Sequence, residues 1–307
     1  MPPSPTARRL PTEHVEVRCR TALNRVESMW FKWSLNPYIG CVHRCTFCYV
    51  RAFERRADRD AGSAYGRTVR VKVNIAGVLR AELARRTWRH ELVAIGSATD
   101  PYQPAEGVYR LTRGCLEAFL ASRTPISITT RGPLIVRDVD VLGELARRVP
   151  VTVTFSVPTL DPKVVTLTEP GTAPPRQRLR AVERLVGAGI RAGVLMAPIL
   201  PDISDRPEQL TEVAHAAADA GAAFLAAGSL TLKPGTREHF LEAVERDWPD
   251  LLPRYLRIYA GRISAPRRVA EAPVQLIARM RDELGIADRR PAEARPPEPP
   301  SQLLLAV

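Results

Sequence analysis

The chain has 307 residues, 45% of them hydrophobic, and carries a formal net charge of +12. This length is enough for one large hydrophobic core, but five cysteines are too few, and odd in number, for a disulfide scaffold. Because the sequence also lacks a recognisable signal peptide and an uninterrupted apolar span, we expect a cytoplasmic protein without a membrane partner, in which clustered thiols bind metal.

The N-terminal residues 1–29 are predicted to form an irregular arm. Pro2, Pro3, Pro5 and Pro11 oppose regular structure there, because proline lacks a backbone N–H and has a restricted φ angle. We therefore expect the folded core to begin after this arm.

Beyond the arm, β-rich runs alternate with helical patterns. The predicted strands cover 30–35, 68–73, 92–96, 126–130, 151–156, 193–196 and 223–227, and the predicted helices cover 75–86, 112–122, 137–148, 176–188, 207–220 and 237–247. Strands that alternate with helices of about 10–15 residues indicate right-handed βαβ crossovers and a parallel sheet. About six such units are too few to close an eight-stranded barrel, so we predict an α/β fold with an open, partial (β/α)6 barrel of the TIM type.

The predicted barrel spans residues 30–240, and a C-terminal helical extension follows at 241–286. The last residues, 287–307, are poor in aromatic residues and crowded with prolines. This composition predicts an extended or disordered tail.

Three cysteines, Cys41, Cys45 and Cys48, lie within eight residues of one another in the spacing C-x3-C-x2-C. A tetrahedral metal site or an iron–sulfur cluster normally takes four protein ligands, and this stretch offers three thiolates. Two interpretations are open at this point. Either a further residue, His43 within the motif or the distant Cys115, completes a zinc site, or one iron of a [4Fe–4S] cluster is left for a ligand that is not protein.

Polar side chains stand at the ends of three predicted strands or in the loops that follow them. The carboxyl ends of parallel strands meet at one rim, where α/β folds place their chemistry, so these side chains should lie together near the cysteines. They are Ser97, Thr99, Asp100, Arg131 and Ser156. The structural alternative for Asp100, which precedes a proline, is that it fixes a turn.

Phe47 stands directly before the third cysteine, and the full pattern resembles the C-x3-C-x-aromatic-C signature of the radical S-adenosylmethionine (radical SAM) superfamily. The wider sequence resembles the branch of that superfamily that contains spore photoproduct lyase. The segments that carry this likeness are 36–45, 99–106, 137–138, 169–170, 178–179 and 197–201. They occur in consistent order within residues 30–240.

The resemblance implies that Cys41, Cys45 and Cys48 hold a [4Fe–4S] cluster whose fourth iron binds S-adenosylmethionine through its amino and carboxylate groups. One-electron reduction, by a protein such as flavodoxin or ferredoxin, would then release a 5′-deoxyadenosyl radical that abstracts hydrogen from a substrate. It also implies cofactor-binding roles for Ser97, Thr99, Asp100, Arg131 and Ser156. Further candidates to face the cofactor or substrate are Tyr102, Gln103 and Glu106, while Glu169 either anchors a loop or binds a ligand.

The sequence departs from the lyase in one respect that concerns the reaction. The lyase has a cysteine in the loop after its second barrel strand, but here no cysteine occurs between Cys48 and Cys115. Radical generation is therefore expected, photoproduct repair is not, and the residues that act on the substrate stay unassigned.

The pI near 10.1 favours a polyanionic partner such as nucleic acid, although the arginines are scattered and several fall on predicted helix faces. Three hypotheses follow. The first is a radical SAM enzyme acting on nucleic acid, and the second is the same chemistry acting on a protein or small molecule. The third is a nucleic-acid-binding protein with a structural iron–sulfur or zinc site.

Overall fold

A computed structural model describes residues 12–27 and 29–289. Its strands are β1 (Glu13–Val17), β2 (Leu23–Arg25), β3 (Trp33–Leu35), β4 (Tyr38–Ile39), β5 (Thr68–Lys72), β6 (Val93–Ile95), β7 (Ile126–Thr130), β8 (Val151–Ser156), β9 (Arg191–Ile199) and β10 (Leu225–Ser229). Its α-helices are α1 (Val50–Arg56), α2 (Ile75–Leu83), α3 (Ala105–Tyr109), α4 (Leu111–Ser122), α5 (Val139–Ala146), α6 (Pro162–Thr168), α7 (Pro175–Gly187), α8 (Pro207–Asp219), α9 (Thr236–Asp247), α10 (Leu252–Ile258) and α11 (Arg267–Glu283). Short 3-10 helices cover Pro133–Asp138 and Pro249–Leu251.

The main sheet of the described residues has the order β10-β9-β8-β7-β6-β3-β2. Its neighbouring strands are parallel except β2, which runs antiparallel to β3. Side chains on the central strands, such as Ile128, Val153 and Phe155, are fully buried, as expected when helices cover a parallel sheet. The predicted α/β fold with a partial barrel of parallel strands is confirmed.

The predicted strand at 68–73 exists as β5, but it lies outside the barrel. It forms a second sheet of order β1-β5-β4, parallel to β1 and antiparallel to β4. The place beside β3 is taken by β6, with Trp33 opposite Val93. A sequence pattern predicts that a strand forms, but the pairing partner depends on the way the chain packs.

The predicted irregularity of residues 1–29 is wrong for β1 and β2. The four prolines behind that prediction occupy positions up to residue 11, which lie outside the described residues, and the next proline is Pro37. Nothing in the intervening sequence opposes strand formation, and β1 gains a parallel partner in β5. The boundaries proposed for this arm and for the other segments stay predictions.

At the other end of the chain, α11 packs against α8 and against the edge strand β10. Covering an edge strand protects backbone groups that have no strand partner. The predicted tail lies outside the described residues from position 290 onward. None of the described helices is long and apolar enough to cross a membrane.

Candidate active site

The three cysteines lie in the loop between β4 and α1, the cysteine loop (residues 40–49). Cys41 and Cys45 are 8% and 5% exposed. All three thiols line one cavity of about 90 Å³, together with Thr99, Asp100 and Arg131 from the ends of β6 and β7. The structure thus brings the cysteine motif beside three of the five residues predicted to bind the cofactor.

Two glycines let neighbouring backbone pack directly against this loop. A Cβ atom at Gly171 would lie 2.1 Å from the carbonyl oxygen of Val42, and one at Gly66 would lie 2.3 Å from that of Cys41. The Gly171 N–H donates to the carbonyl of His43 at 3.0 Å. These contacts leave no room for a side chain and hold the loop from both sides.

Gln103 ties the loop after β6 to the cysteine loop. Its Nε2 donates to the carbonyl of Gly40 at 3.2 Å and to Thr99 Oγ1 at 3.0 Å, while its Oε1 accepts from Val42 N at 3.1 Å. Thr99 Oγ1 donates to the same Gly40 carbonyl at 2.7 Å. Gln103 is fully buried, so it positions the loop that carries the cysteines rather than facing the cofactor.

Asp100 accepts hydrogen bonds from two directions. Its Oδ1 accepts from Thr130 Oγ1 at 2.7 Å and from Tyr102 N at 2.8 Å, and its Oδ2 accepts from Arg131 N at 2.7 Å. His43 Nδ1 lies 3.3 Å from Oδ2. Burial alone would raise the pKa of Asp100, but His43 and the hydrogen bonds outweigh it and lower the pKa to about 2. Asp100 therefore joins the cysteine loop to the end of β7 as a carboxylate.

Arg131 forms part of a buried ionic triad with Glu169 and Arg178. Arg131 Nε donates to Glu169 Oε1 at 2.7 Å. Arg178 Nη2 lies 2.7 Å from Glu169 Oε2, an ion-pair distance, although the groups are not aligned for a hydrogen bond. Burial alone would raise the pKa of Glu169, but Arg178 and Arg131 lower it. Glu169 thus anchors two arginines, which decides between its two predicted roles in favour of the anchor.

The two predicted serines occupy different surroundings. Ser97 Oγ accepts from Asn36 Nδ2 at 3.2 Å, and Ser97 borders a second, larger cavity. Ser156 is 2% exposed, its Oγ donates to the carbonyl of Ala197 at 2.8 Å, and it lines neither cavity. A cofactor contact of Ser156 stays a prediction that these contacts do not support.

Tyr102 and Glu106 lie away from both cavities. Tyr102 donates to Asp138 at 3.2 Å, and Glu106 accepts from Tyr38 at 2.5 Å and from Arg137 Nη2 at 2.7 Å. Tyr102 is 2% exposed and Glu106 is fully buried, so both hold elements together and do not face a ligand.

The larger cavity has a volume of about 670 Å³ and shares Tyr49, Val50, Gly96 and Thr129 with the smaller one. Its wall includes exposed apolar side chains, which are Met29 (57% exposed), Trp30 (44%), Tyr49 (46%) and Phe53 (37%). The basic side chains of its wall are Arg59, Lys72, Lys233 and Arg289. This cavity wall was not predicted from the sequence. Two of the four lysines lie on it, and no other feature of the sequence indicated it.

The surroundings of the Cys45 thiol oppose its ionisation. Burial, with Glu169, Cys48 and Cys41 adding to it, raises the pKa of Cys45 well above its usual range, while Arg131 opposes the rise. Iron–sulfur clusters bind cysteine as thiolate, so loading this pocket would release protons.

A single zinc ion and a four-iron cluster place different demands on the three thiols. Among the described residues, no three His, Cys, Asp or Glu side chains converge on one metal-ion position. Zinc would need such a point, whereas a four-iron cluster spreads its thiolates over separate iron atoms. Cys115 is fully buried in α4 and lines neither cavity, so it is not placed beside the three thiols, whereas His43 lines the cysteine cavity and directs its Nδ1 at Asp100.

Comparison with known proteins agrees with this arrangement. A model of the Radical SAM superfamily matches residues 35–214. An uncharacterised protein of Mycobacterium tuberculosis is 38% identical over 293 residues, which cover 94% of this chain and 85% of that protein. An uncharacterised protein of Acidianus two-tailed virus is 33% identical over 174 residues, which cover 55% of this chain and 56% of that protein.

Among solved structures, spore photoproduct lyase complexed with dinucleoside spore photoproduct is similar, with a TM-score of 0.59 and 17% identity. That match covers 77% of this chain and 66% of the lyase chain, so the chain spans about two thirds of the lyase. A lyase variant with the same dinucleoside gives a TM-score of 0.67 and 16% identity, and the match covers 88% of this chain and 79% of the lyase chain. These likenesses show that the fold is shared.

Proposed function

The chain belongs to the radical SAM superfamily and is an enzyme, and from this premise we propose that it generates a radical by reductive cleavage of S-adenosylmethionine at a [4Fe–4S] cluster. Cys41, Cys45 and Cys48 are the proposed ligands. The observation that carries the proposal is that the three thiols line one cavity, which adjoins a larger cavity inside the barrel. When bound, the cluster would supply the electron that cleaves the cofactor's sulfonium into methionine and a 5′-deoxyadenosyl radical, and this radical would take a hydrogen atom from the substrate.

Arg131 is the proposed partner of the cofactor's carboxylate. Its Nε is held by Glu169, its side chain lines the cysteine cavity, and no described residue accepts a hydrogen bond from its two Nη groups. A guanidinium fixed through Nε presents the Nη groups as a fork, which suits a carboxylate. Ser97 and Thr99 border the cavities and stay candidates for further cofactor contacts.

Nucleic acid is the proposed substrate class. Aromatic side chains that stay exposed on a cavity wall, here Trp30, Tyr49 and Phe53, can stack on bases, and cations such as Lys72 and Lys233 can contact phosphates. A base in duplex DNA would have to flip out of the helix to reach the radical. The loop after β6 carries no cysteine, so repair of spore photoproduct is not proposed.

The radical proposal is tested by anaerobic reconstitution with iron and sulfide, followed by dithionite and S-adenosylmethionine. Dithionite stands in for the proposed reductant, a flavodoxin or ferredoxin. Wild type and Cys115→Ala should produce 5′-deoxyadenosine, and Cys45→Ala should not, because Cys115 lines neither cavity. Production by Cys45→Ala, or none by iron-loaded wild type, would overturn the proposal.

The substrate class is tested by fluorescence anisotropy with a short single-stranded DNA at increasing salt. Trp30→Ala should weaken binding by about tenfold, because stacking contributes about 1–3 kcal/mol per base. Lys233→Ala should reduce the salt slope by about one, since one phosphate contact is lost. Lys163→Ala is the matched control, because Lys163 is exposed on α6 and lines neither cavity. Absence of binding even at low salt would favour a protein or small-molecule substrate.

A further inference from the structure

Tyr65 is a buried tyrosine of the cysteine cavity that radical generation, as proposed above, does not use. It is 3% exposed, and its hydroxyl oxygen lies 3.8 Å from Cys48 Sγ, within hydrogen-bonding distance for sulfur. Its side chain packs in one apolar cluster with Cys41, Val50 and Cys48. The phenol therefore lies beside two of the three thiols.

The direction of this hydrogen bond follows from the state of the sulfur. In the free thiol either atom can donate, but a thiolate bound to iron has no proton and can only accept. Tyr65 is thus the donor whenever Cys48 is a ligand.

The surrounding residues fix the phenol in this place. Arg51 is 1% exposed, and its guanidinium carbon lies 4.5 Å from the centre of the Tyr65 ring. Arg51 Nη1 donates to the carbonyls of Ala61 and Gly62 at 2.6 and 2.7 Å. The Tyr65 N–H donates to the carbonyl of Gly62 at 3.2 Å, so the arginine and the tyrosine hold the same turn.

Hydrogen bonds to cluster sulfurs are one of the means by which a protein sets a reduction potential. A donated proton withdraws electron density from the thiolate and stabilises the reduced cluster, which carries one more negative charge. The buried Arg51 cation over the ring makes the phenol a stronger donor.

We propose that Tyr65 is a positioning residue that donates a hydrogen bond to the Cys48 thiolate and raises the reduction potential of the cluster. This inference rests on the proposed ligation of the cluster by Cys48. The turn at residues 61–66, which carries Tyr65, thereby controls how readily the cluster accepts the electron that cleaves the cofactor.

The test is a redox titration of the reconstituted cluster, followed by electron paramagnetic resonance. The midpoint potential of Tyr65→Phe should be more negative than that of wild type. A second variant carries 3-fluorotyrosine at position 65, whose more acidic hydroxyl should shift the potential to a more positive value. Tyr255→Phe is the control, because the Tyr255 hydroxyl is equally buried but donates to the carbonyl of Pro201 at 2.7 Å.

The expected order is Tyr65→Phe below wild type, and wild type below the fluorotyrosine variant, with Tyr255→Phe equal to wild type. Equal potentials in all four proteins would overturn the inference. If the Tyr65→Phe variant does not retain iron, the test depends on the fluorotyrosine variant, which keeps both the ring and the hydroxyl. A potential equal to that of wild type in this variant would then overturn the inference. Wild type that binds no iron–sulfur cluster would instead contradict the proposed function.

Discussion

Arg131 Nε donates to Glu169 Oε1 at 2.7 Å, and the Glu169 side chain is fully buried. A carboxylate that is removed from water is stable only when its charge is compensated, and here Arg131 and Arg178 provide the compensation from opposite oxygens. Arg131, which the sequence predicts to bind the cofactor, is therefore held in place by Glu169, for which the sequence left two roles open.

Replacement of Glu169 by glutamine should be strongly destabilising. The substitution keeps the shape but leaves Arg131 and Arg178 as buried cations without a carboxylate, and removal of one partner of a buried pair typically costs about 3–5 kcal/mol. The free energy of unfolding in urea measures the loss. Glu212→Gln is the control, because the pair Arg176–Glu212 is more than half exposed and should contribute less than about 1 kcal/mol. Equal effects of the two substitutions would contradict the structural role of the triad.

Gln103→Ala should loosen the cysteine loop. The variant loses the bonds to Gly40 and Val42 and leaves the Val42 N–H unpaired, at a cost of about 1–3 kcal/mol, while the Gly40 carbonyl keeps its bond from Thr99. Iron bound per chain after reconstitution should fall below the wild-type value. Gln177→Ala, at an exposed position of α7, should leave iron content unchanged. A variant at position 103 with full iron content would show that the loop keeps its shape without these bonds.

Two glycine-to-alanine substitutions should have opposite signs. At Gly171 the new Cβ meets Val42 O at 2.1 Å, so the cysteine loop must move and both stability and iron content should decrease. At Gly187, the last residue of α7, a new Cβ would meet no atom within 4 Å apart from the chain neighbours and the backbone of its own helix, and alanine should stabilise the helix by about 0.5–1 kcal/mol. Thermal unfolding and iron analysis of both variants check this. If Gly171→Ala changes neither stability nor iron content, the cysteine loop can adopt another conformation that accommodates the new Cβ.

Acid should destabilise the fold through His239 in a defined pH range. Burial, followed by Arg51 and Arg246, lowers the pKa of His239 to about 4 from the usual value of 6.5. Glu242 lies 3.9 Å away, but its side chain is 73% exposed and solvent screens its charge. Because the unfolded chain takes up this proton near pH 6.5 and the folded chain only near pH 4, stability should fall as pH decreases through that interval.

The contribution of His239 to this pH dependence is at most about 1.4 kcal/mol per pH unit. Urea unfolding at several pH values should show the slope in wild type, and a shallower slope is expected for His239→Gln. Parallel curves for the two proteins would mean that another group is responsible.

The strands of the barrel and the cysteine motif were predictable from sequence because both are local patterns. The alternation of apolar runs and helical periods depends on residues that are near one another in the chain, and the observed strands Ile126–Thr130 and Val151–Ser156 begin and end as predicted. The position of β5 was not predictable, because Val69 and Val71 are buried equally well in a small second sheet.

By itself, the sequence determined the family, the class of fold and the three thiols that identify the chemistry, since spacing and residue type survive in a linear chain. Only the tertiary structure decided which polar groups already have partners. It shows that Asp100 has four hydrogen-bonding or charged neighbours, that Glu169 forms ion pairs with two arginines and that Ser156 donates to a backbone carbonyl. It also placed Tyr65 beside Cys48, a contact between residues 17 positions apart. These relationships depend on distances across packed elements, and no local pattern in the sequence encodes them.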